Sequence, residues 1–228
     1  MMYLSRITLT RASLEAIHRL RRKDGDFWEH RMVWNLFDNK PEQQRDFLYR
    51  REDPPGQRPF YYLLSAREPA YNPLAADIQT RAYEPELRAG DRLAFSLRAN
   101  AVITRKVDDH GNRRRRIDII DAKVDEYKTK YDDRKDWPPP AVIHQEAAEQ
   151  WMNRQAGQHG FQLDALRVSN HQYHKIRKPG DGNLRRFTSL DLDGILIVED
   201  PTALQNALFN GLGRAKAFGC GLLLVRRA

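Results

Sequence analysis

Two Gly-x-Gly pairs, Gly211/Gly213 and Gly219/Gly221, enclose a five-residue segment carrying Arg214 and Lys216. No other stretch constrains the chain as much. Glycine allows positive φ and lacks the Cβ that keeps another chain away, so the backbone here can approach a ligand or a neighbouring element closely. The residues before it read as a helix: Asp200 can cap it, Pro201 suits its first position, Leu204 and Leu208 lie one turn apart, and Gly211 can end it. Leu222 to Val225 then reads as a buried strand. The order is helix, glycine loop, strand. A nucleotide-binding P-loop runs strand, loop, helix and ends in Gly-Lys-Ser/Thr, which is absent. On local physics alone, a tight turn with two incidental cations describes this stretch equally well.

Length and charge bound the rest. The 228 residues suffice for one domain or two small ones. Lys and Arg number 39 against 31 Asp and Glu, a net charge of +8. With a pI near 9.7, this balance favours a polyanionic partner, nucleic acid ahead of a membrane surface. The single cysteine, Cys220, excludes an internal disulfide framework and fits a reducing cytosol. No apolar run approaches the roughly 18 residues of a membrane span, and no signal-peptide core opens the chain, so a cytoplasmic protein is expected.

Along the chain, Met2 to Thr10 alternates and reads as a strand. After the charged stretch Arg19 to Asp26, Phe27 to Phe37 reads as a helix, ended by Asp38-Asn-Lys-Pro41, and Glu42 to Leu48 as a second short one. Phe60 to Ser65 and Ile78 to Leu87 read as strands. Gly90-Asp91 is a turn, and Leu93 to Ile103 begins a fresh strand, so the domains are expected to divide as 1–88 and 89–228. Lys106 to Asp136 is a long charged region closed by Pro138-Pro-Pro140. Ala147, Ala148, Trp151, Met152 and Ala156 form an apolar stripe at helical spacing. Phe161 to Tyr173 and Phe187 to Val198 read as strands joined through the turn Lys178-Pro-Gly-Asp-Gly-Asn183. The second half is then β-α-β-β-α-β, and the expected class is α+β with two tandem ferredoxin-like (RRM-like) domains.

Among seven histidines, His30 stands out, inside the first helix between Trp34 and Phe37 on the wheel. A histidine flanked by aromatics commonly packs at the edge of a core, yet histidine is also the commonest general acid/base near neutral pH. His171-Gln-Tyr-His174 has a ligand-like spacing without a third partner, and no metal site is expected.

The motifs carry a resemblance. Gly-apolar-Gly, five residues, Gly-apolar-Gly and then apolar residues resembles the C-terminal glycine-rich loop of the Cas-six superfamily, the CRISPR repeat-RNA endoribonucleases. The opening Met-Tyr-Leu-Ser, His30-x-x-x-Trp-x-Leu-Phe37, Pro41 followed by Arg45-Asp-Phe-Leu48, and Phe95-Ser-Leu-Arg-Ala-Asn100 resemble CasE, its type I-E branch. The resemblance implies the double ferredoxin-like fold and cleavage of CRISPR precursor RNA at the base of the repeat hairpin. It implies no metal or other cofactor, and catalysis by His30. The products would be a 2′,3′-cyclic phosphate and a 5′-hydroxyl.

Such a reaction needs a base for the 2′-OH, an acid for the leaving oxygen and cations for the phosphorane. Arg31 is a candidate for the last role. Some members carry a tyrosine three residues before the histidine; here that position is Phe27, which exchanges no proton. Three basic sites could hold RNA: Arg113, Arg114, Arg115 and Arg116; Lys175, Arg177, Lys178, Arg185 and Arg186 in a hairpin; and Arg214 with Lys216. The implied partners are repeat hairpin RNA, the mature guide and the other subunits of a Cascade-like complex, with no membrane. Phe27 keeps a second reading open, a non-catalytic RNA-binding scaffold on the same frame.

Overall fold

Strand alternation sets the architecture. The structure, a computed structural model, describes residues 1–37, 44–70, 76–106, 114–177 and 184–228. In the first half, β1 (Met2–Thr8) pairs antiparallel with both β3 (Phe60–Ser65) and β4 (Asp77–Tyr83), and β2 (Phe47–Glu52) pairs with β3. The resulting order is β2-β3-β1-β4. One face of this sheet carries Ile7, Tyr61 and Leu63, all fully buried, and the helices close over it.

The first helix, α1 (Arg11–Asp24), starts at a capping box. The Thr10 hydroxyl accepts from the Ser13 N–H, and the Ser13 hydroxyl accepts from the Thr10 N–H at 3.0 Å. The charged stretch Arg19 to Asp26 therefore lies mostly within a helix. Gly25 breaks it at φ 54°, a 3-10 turn covers Gly25–Phe27, and α2 (Trp28–Trp34) follows. The helix expected over Phe27 to Phe37 is shorter at both ends, because Leu36 and Phe37 fold back in a turn to bury their side chains. The second short helix is corrected too. Residues 44–46 are irregular and Phe47 opens β2, where cross-strand pairing with β3 overrides local helix propensity; residues 42 and 43, like Pro41, lie outside the described residues.

The second half repeats the plan. Its strands β5 (Arg92–Ala99), β8 (Phe161–Arg177), β9 (Leu184–Val198) and β10 (Leu223–Arg227) pair antiparallel in the order β10-β5-β9-β8. Both sheets thus place their first and third strands at the centre, the ferredoxin-like order. Helices α4 (Pro140–His159) and α5 (Pro201–Asn210) make the two connections of this second unit. In the first unit, no helix joins β3 to β4 among the described residues. The fold is α+β, two ferredoxin-like units in tandem.

An insertion separates β5 from α4. The chain breaks at Asn100, forms the hairpin β6 (Val102–Lys106) with β7 (Arg114–Asp118), and continues into α3 (Ile119–Lys130), capped by the Asp118 carboxylate. The long charged region Lys106 to Asp136, to which the sequence assigned no helix, therefore contains a strand and a helix. Ile119, Ile120, Ala122 and Tyr127 face inward, and the one buried charge of α3, Lys123, pairs with Glu126 and Glu146. The turn at 178–183 lies outside the described residues.

The two sheets meet through Leu48 and Leu64 of the first and Leu222 near the second, a small shared core. Polar bridges fix their angle. Arg98 donates to the carbonyl of Arg51 at 3.0 Å and pairs in a bidentate fashion with Asp191, while Arg50 donates to the Ser96 hydroxyl at 2.9 Å.

Candidate active site and nucleic-acid interface

The glycine loop is shaped by contacts on both sides. Gly211, Gly213, Gly219 and Gly221 all have positive φ, between 74° and 93°. A Cβ on Gly211 would come within 2.6 Å of the Gly221 carbonyl oxygen and 2.8 Å of Leu48, and one on Gly213 within 3.0 Å of the Asn100 carbonyl oxygen. Arg214 donates its backbone N–H to that carbonyl, and Gly221 donates to the carbonyl of Arg98 at 2.7 Å, so the loop is laced to β5. From the first sheet, the buried Tyr49 donates its hydroxyl to the carbonyl of Ala217 at 2.8 Å. The loop is a wedge clamped between the two units.

Against this wedge stands α2. Its start is held by Phe27, whose ring meets Phe218 of the loop edge-on at 5.1 Å. Phe218 stacks on Phe187 of β9, and Phe187 on His174 of β8, at 5.5 and 4.6 Å. Asp26 accepts the backbone N–H of Arg177 at 2.8 Å, so the end of the β8–β9 hairpin is tied to the turn that introduces α2. The helix is also anchored by Glu29, which accepts from Tyr61 and Arg51, each at 2.9 Å.

His30 lies on α2 beside Phe47, ring centres 6.2 Å apart. Its Nε2 accepts the indole N–H of Trp34 at 3.1 Å, one helical turn on, and its buried Nδ1 has no partner among the described residues. Burial, then the charges of Arg45 and Arg31, lowers its pKa from 6.5 to about 4. The imidazole is therefore neutral at pH 7, and the Trp34 contact places its proton on Nδ1.

Arg31 is two-thirds exposed (66%) and lies 3.8 Å from Asp24. Arg45, just before β2, joins the site instead: its charge acts on both His30 and Lys216. Sequence reading found Arg45 only as part of a motif, and Trp34 only as a spacing. The i, i+4 spacing puts Trp34 within reach of His30, whereas the role of Arg45 has no local signature, because only tertiary packing brings it near His30. Lys216 donates to the carbonyl of Asn210 at 2.7 Å, and Arg214 is exposed.

The other basic residues lie on two hairpins. Arg114, Arg115 and Arg116 are exposed on β7, and Arg114 and Arg115 face Lys106 and Arg105 across the ladder. Lys175 likewise faces Arg186 on the β8–β9 hairpin, with Arg177 and Arg185 exposed nearby. Like charges directly opposite one another are unfavourable in a sheet unless a counter-charge arrives. Arg113 and Lys178 lie outside the described residues. His171 and His174, three apart on β8, face different neighbours: His171 meets His144 of α4, while His174 bonds the Ser189 hydroxyl at 2.8 Å. Burial pushes the Cys220 thiol up to about 12, which leaves it un-ionised and a poor nucleophile.

Two ferredoxin-like units, a glycine-loop wedge and a histidine helix beside cationic hairpins define a class of CRISPR-associated protein: the family model of that description matches residues 2–227, and the chain belongs to this family. Within it the chain is of the CasE type. It is 30% identical to the CRISPR system Cascade subunit CasE of Escherichia coli (strain K12), across 97% of this chain and 98% of that one. Among solved structures, Thermus thermophilus Cse3 bound to an RNA representing a pre-cleavage complex shares the fold with a TM-score of 0.71 at 23% identity, covering 99% and 98% of the two chains. The CRISPR-associated protein Cas6e from Escherichia coli K-12 does so with a TM-score of 0.64 at 23% identity over the whole of both chains.

Proposed function

We propose that this protein is a CRISPR repeat-RNA endoribonuclease that cuts at the base of the repeat hairpin and keeps hold of its product. The observation that carries this reading is His30, a neutral imidazole on the helix whose start packs on Phe218 of the glycine loop and is tied through Asp26 to the cationic β8–β9 hairpin. The relatives support it: one is named a Cascade subunit, and Cse3 is described bound to RNA.

RNA supplies its own nucleophile, the 2′-OH beside the scissile phosphate. His30 takes the proton of the 2′-OH as this oxygen attacks phosphorus, the bond from phosphorus to the 5′-oxygen breaks, and the leaving oxygen takes up a proton from the imidazolium or from water, which gives a 2′,3′-cyclic phosphate and a 5′-hydroxyl. In the free protein Trp34 occupies Nε2, so proton uptake there requires this contact to yield when RNA enters. The incoming phosphate also offsets the charges of Arg31 and Arg45, which raises the proton affinity of the imidazole into a useful range. In this reading those same arginines meet phosphorane charge. The reaction as written needs no metal. The β8–β9 hairpin, with Lys175, Arg177, Arg185 and Arg186, receives the stem, read by shape and phosphates. We take residues 1–88 and 89–228 as the two domains, the first carrying His30 and the second most RNA contacts. The protein would act in the cytoplasm, and the retained guide would bring it into a Cascade-like complex.

A scaffold reading has one observation in its favour. Phe27 packs on Phe218 at the helix start and offers no proton. Labelled repeat hairpin incubated in EDTA with wild type and His30→Ala separates the two. Cutting to a cyclic phosphate, lost in His30→Ala with binding kept, is the expected result. Binding without cutting by wild type would replace the endoribonuclease by the scaffold.

A further inference from the structure

A cavity opens at the Gly213–Lys216 end of the glycine loop. Arg214 and Lys216 of the loop, Gln155 and the edge of Trp151 on α4, and Arg45 line it, and no carboxylate does. Between and around the two sheets the arginines are neutralised: Arg50, Arg51, Arg67, Arg92 and Arg98 each pair with an Asp or Glu. Around this cavity, Arg45, Arg214 and Lys216 have no carboxylate within ion-pairing distance among the described residues. Three uncompensated cations gathered at one concavity repel each other until an anion joins them. Their mutual effect is visible in Lys216, whose pKa is lowered by burial and by Arg45, and in His159 at the end of α4, lowered by burial and by Lys216.

The loop divides two territories. Its Phe218–Gly219 end faces Phe27, Phe187 and Tyr49, on the side of the hairpin that would receive the RNA stem. Its Gly213–Lys216 end faces the cavity. His30 is linked to the cavity through Arg45, whose charge acts on both His30 and Lys216. Because Arg45 both acts on His30 and lines the cavity, a strand continuing past His30 would meet this cavity next. Trp151 is only 3% exposed and offers no ring face to a base, so the lining suits phosphate oxygens rather than base edges.

We propose that this cavity holds a phosphodiester of the RNA strand on the 3′ side of the cut, gripped by Arg45, Arg214 and Lys216 without regard to sequence. The inference rests on the endoribonuclease reading. It gives the leaving strand its own subsite, separate from the one that keeps the stem, and holds the scissile linkage between two fixed points.

The test compares three repeat hairpins: one ending with a phosphate at the cut, one carrying a short 3′ extension with a 2′-deoxy nucleotide before the cut, and that extended RNA with neutral methylphosphonate linkages in the extension. Wild type should bind the extended RNA about tenfold more tightly than the short one, the effect of one charge-assisted contact. Its log-log salt dependence should be steeper by about one unit. The methylphosphonate RNA should fall back to the short RNA's affinity, and an extension of different sequence should bind as well as the original. The double variant Arg214→Gln, Lys216→Gln should bind short and extended RNA alike. Equal binding of short and extended RNA by wild type, or a methylphosphonate RNA that binds like the charged one, overturns the subsite. If the hairpin is nonetheless bound and cut, the endoribonuclease reading stands and only the subsite falls. If wild type does not prefer repeat hairpin to scrambled RNA, both fall together.

Discussion

The indole N–H of Trp34 caps Nε2 of His30 at 3.1 Å, one turn along the same helix. This hydrogen bond stabilises the neutral imidazole, in the direction already set by burial and by Arg45 and Arg31. Trp34→Phe keeps the ring and removes the donor. The His30 pKa should then rise from about 4 by roughly one unit, the worth of a hydrogen bond of about 1 kcal/mol. A pH titration of the imidazole resonances by NMR checks this; an unchanged or lowered midpoint would refute it.

The same depressed pKa makes stability depend on pH. The unfolded chain binds a proton at His30 near 6.5, the folded chain only near 4, so protonation favours unfolding. The contribution is present above 6.5 and is lost as the pH falls through that window towards 4. Urea midpoints across this range should fall more steeply for wild type than for His30→Gln. Parallel slopes would show that His30 is not the group responsible.

The glycine loop permits a controlled comparison. Gly211→Ala combines positive φ with a Cβ 2.6 Å from the Gly221 carbonyl oxygen, whereas Gly90→Ala has positive φ and open space around it. Gly90→Ala should cost about 1 kcal/mol from backbone strain, and Gly211→Ala about 3 kcal/mol or more because a clash is added. Denaturant unfolding measures both, and equal costs would remove the close-approach explanation.

Tyr49→Phe tests the clamp between the first sheet and the loop. It deletes the hydroxyl that satisfies the Ala217 carbonyl, a part-buried contact between residues far apart in sequence. A loss of about 1–2 kcal/mol is expected, with hydrogen exchange speeding up in residues 211–221. Stability loss without faster exchange in the loop would place the effect elsewhere.

Arg185→Gln with Arg186→Gln tests the stem-binding role of the β8–β9 hairpin. Repeat-hairpin affinity should fall and its log-log salt slope shrink by about one to two units. An unchanged slope would take these residues out of the phosphate contacts.

The sequence by itself determined the tandem α+β plan, through the alternation of β5, the apolar stripe of α4 and the capped helix before the glycine loop. These patterns are local, because burying one face of a strand or helix repeats every two or 3.6 residues. It also located the helix of His30 and the loop that comes to lie against it. It misjudged residues 44–48, where strand pairing outweighs local helix propensity, and left the charged stretch before α4 without the helix that a buried face gives it. The i, i+4 spacing already put Trp34 within reach of His30, but only the tertiary structure decided that Arg45 rather than Arg31 links His30 to the loop, and that Tyr49 reaches Ala217. The last two join residues from separate units, and no periodicity records which side chains meet once two sheets pack around a shared wedge.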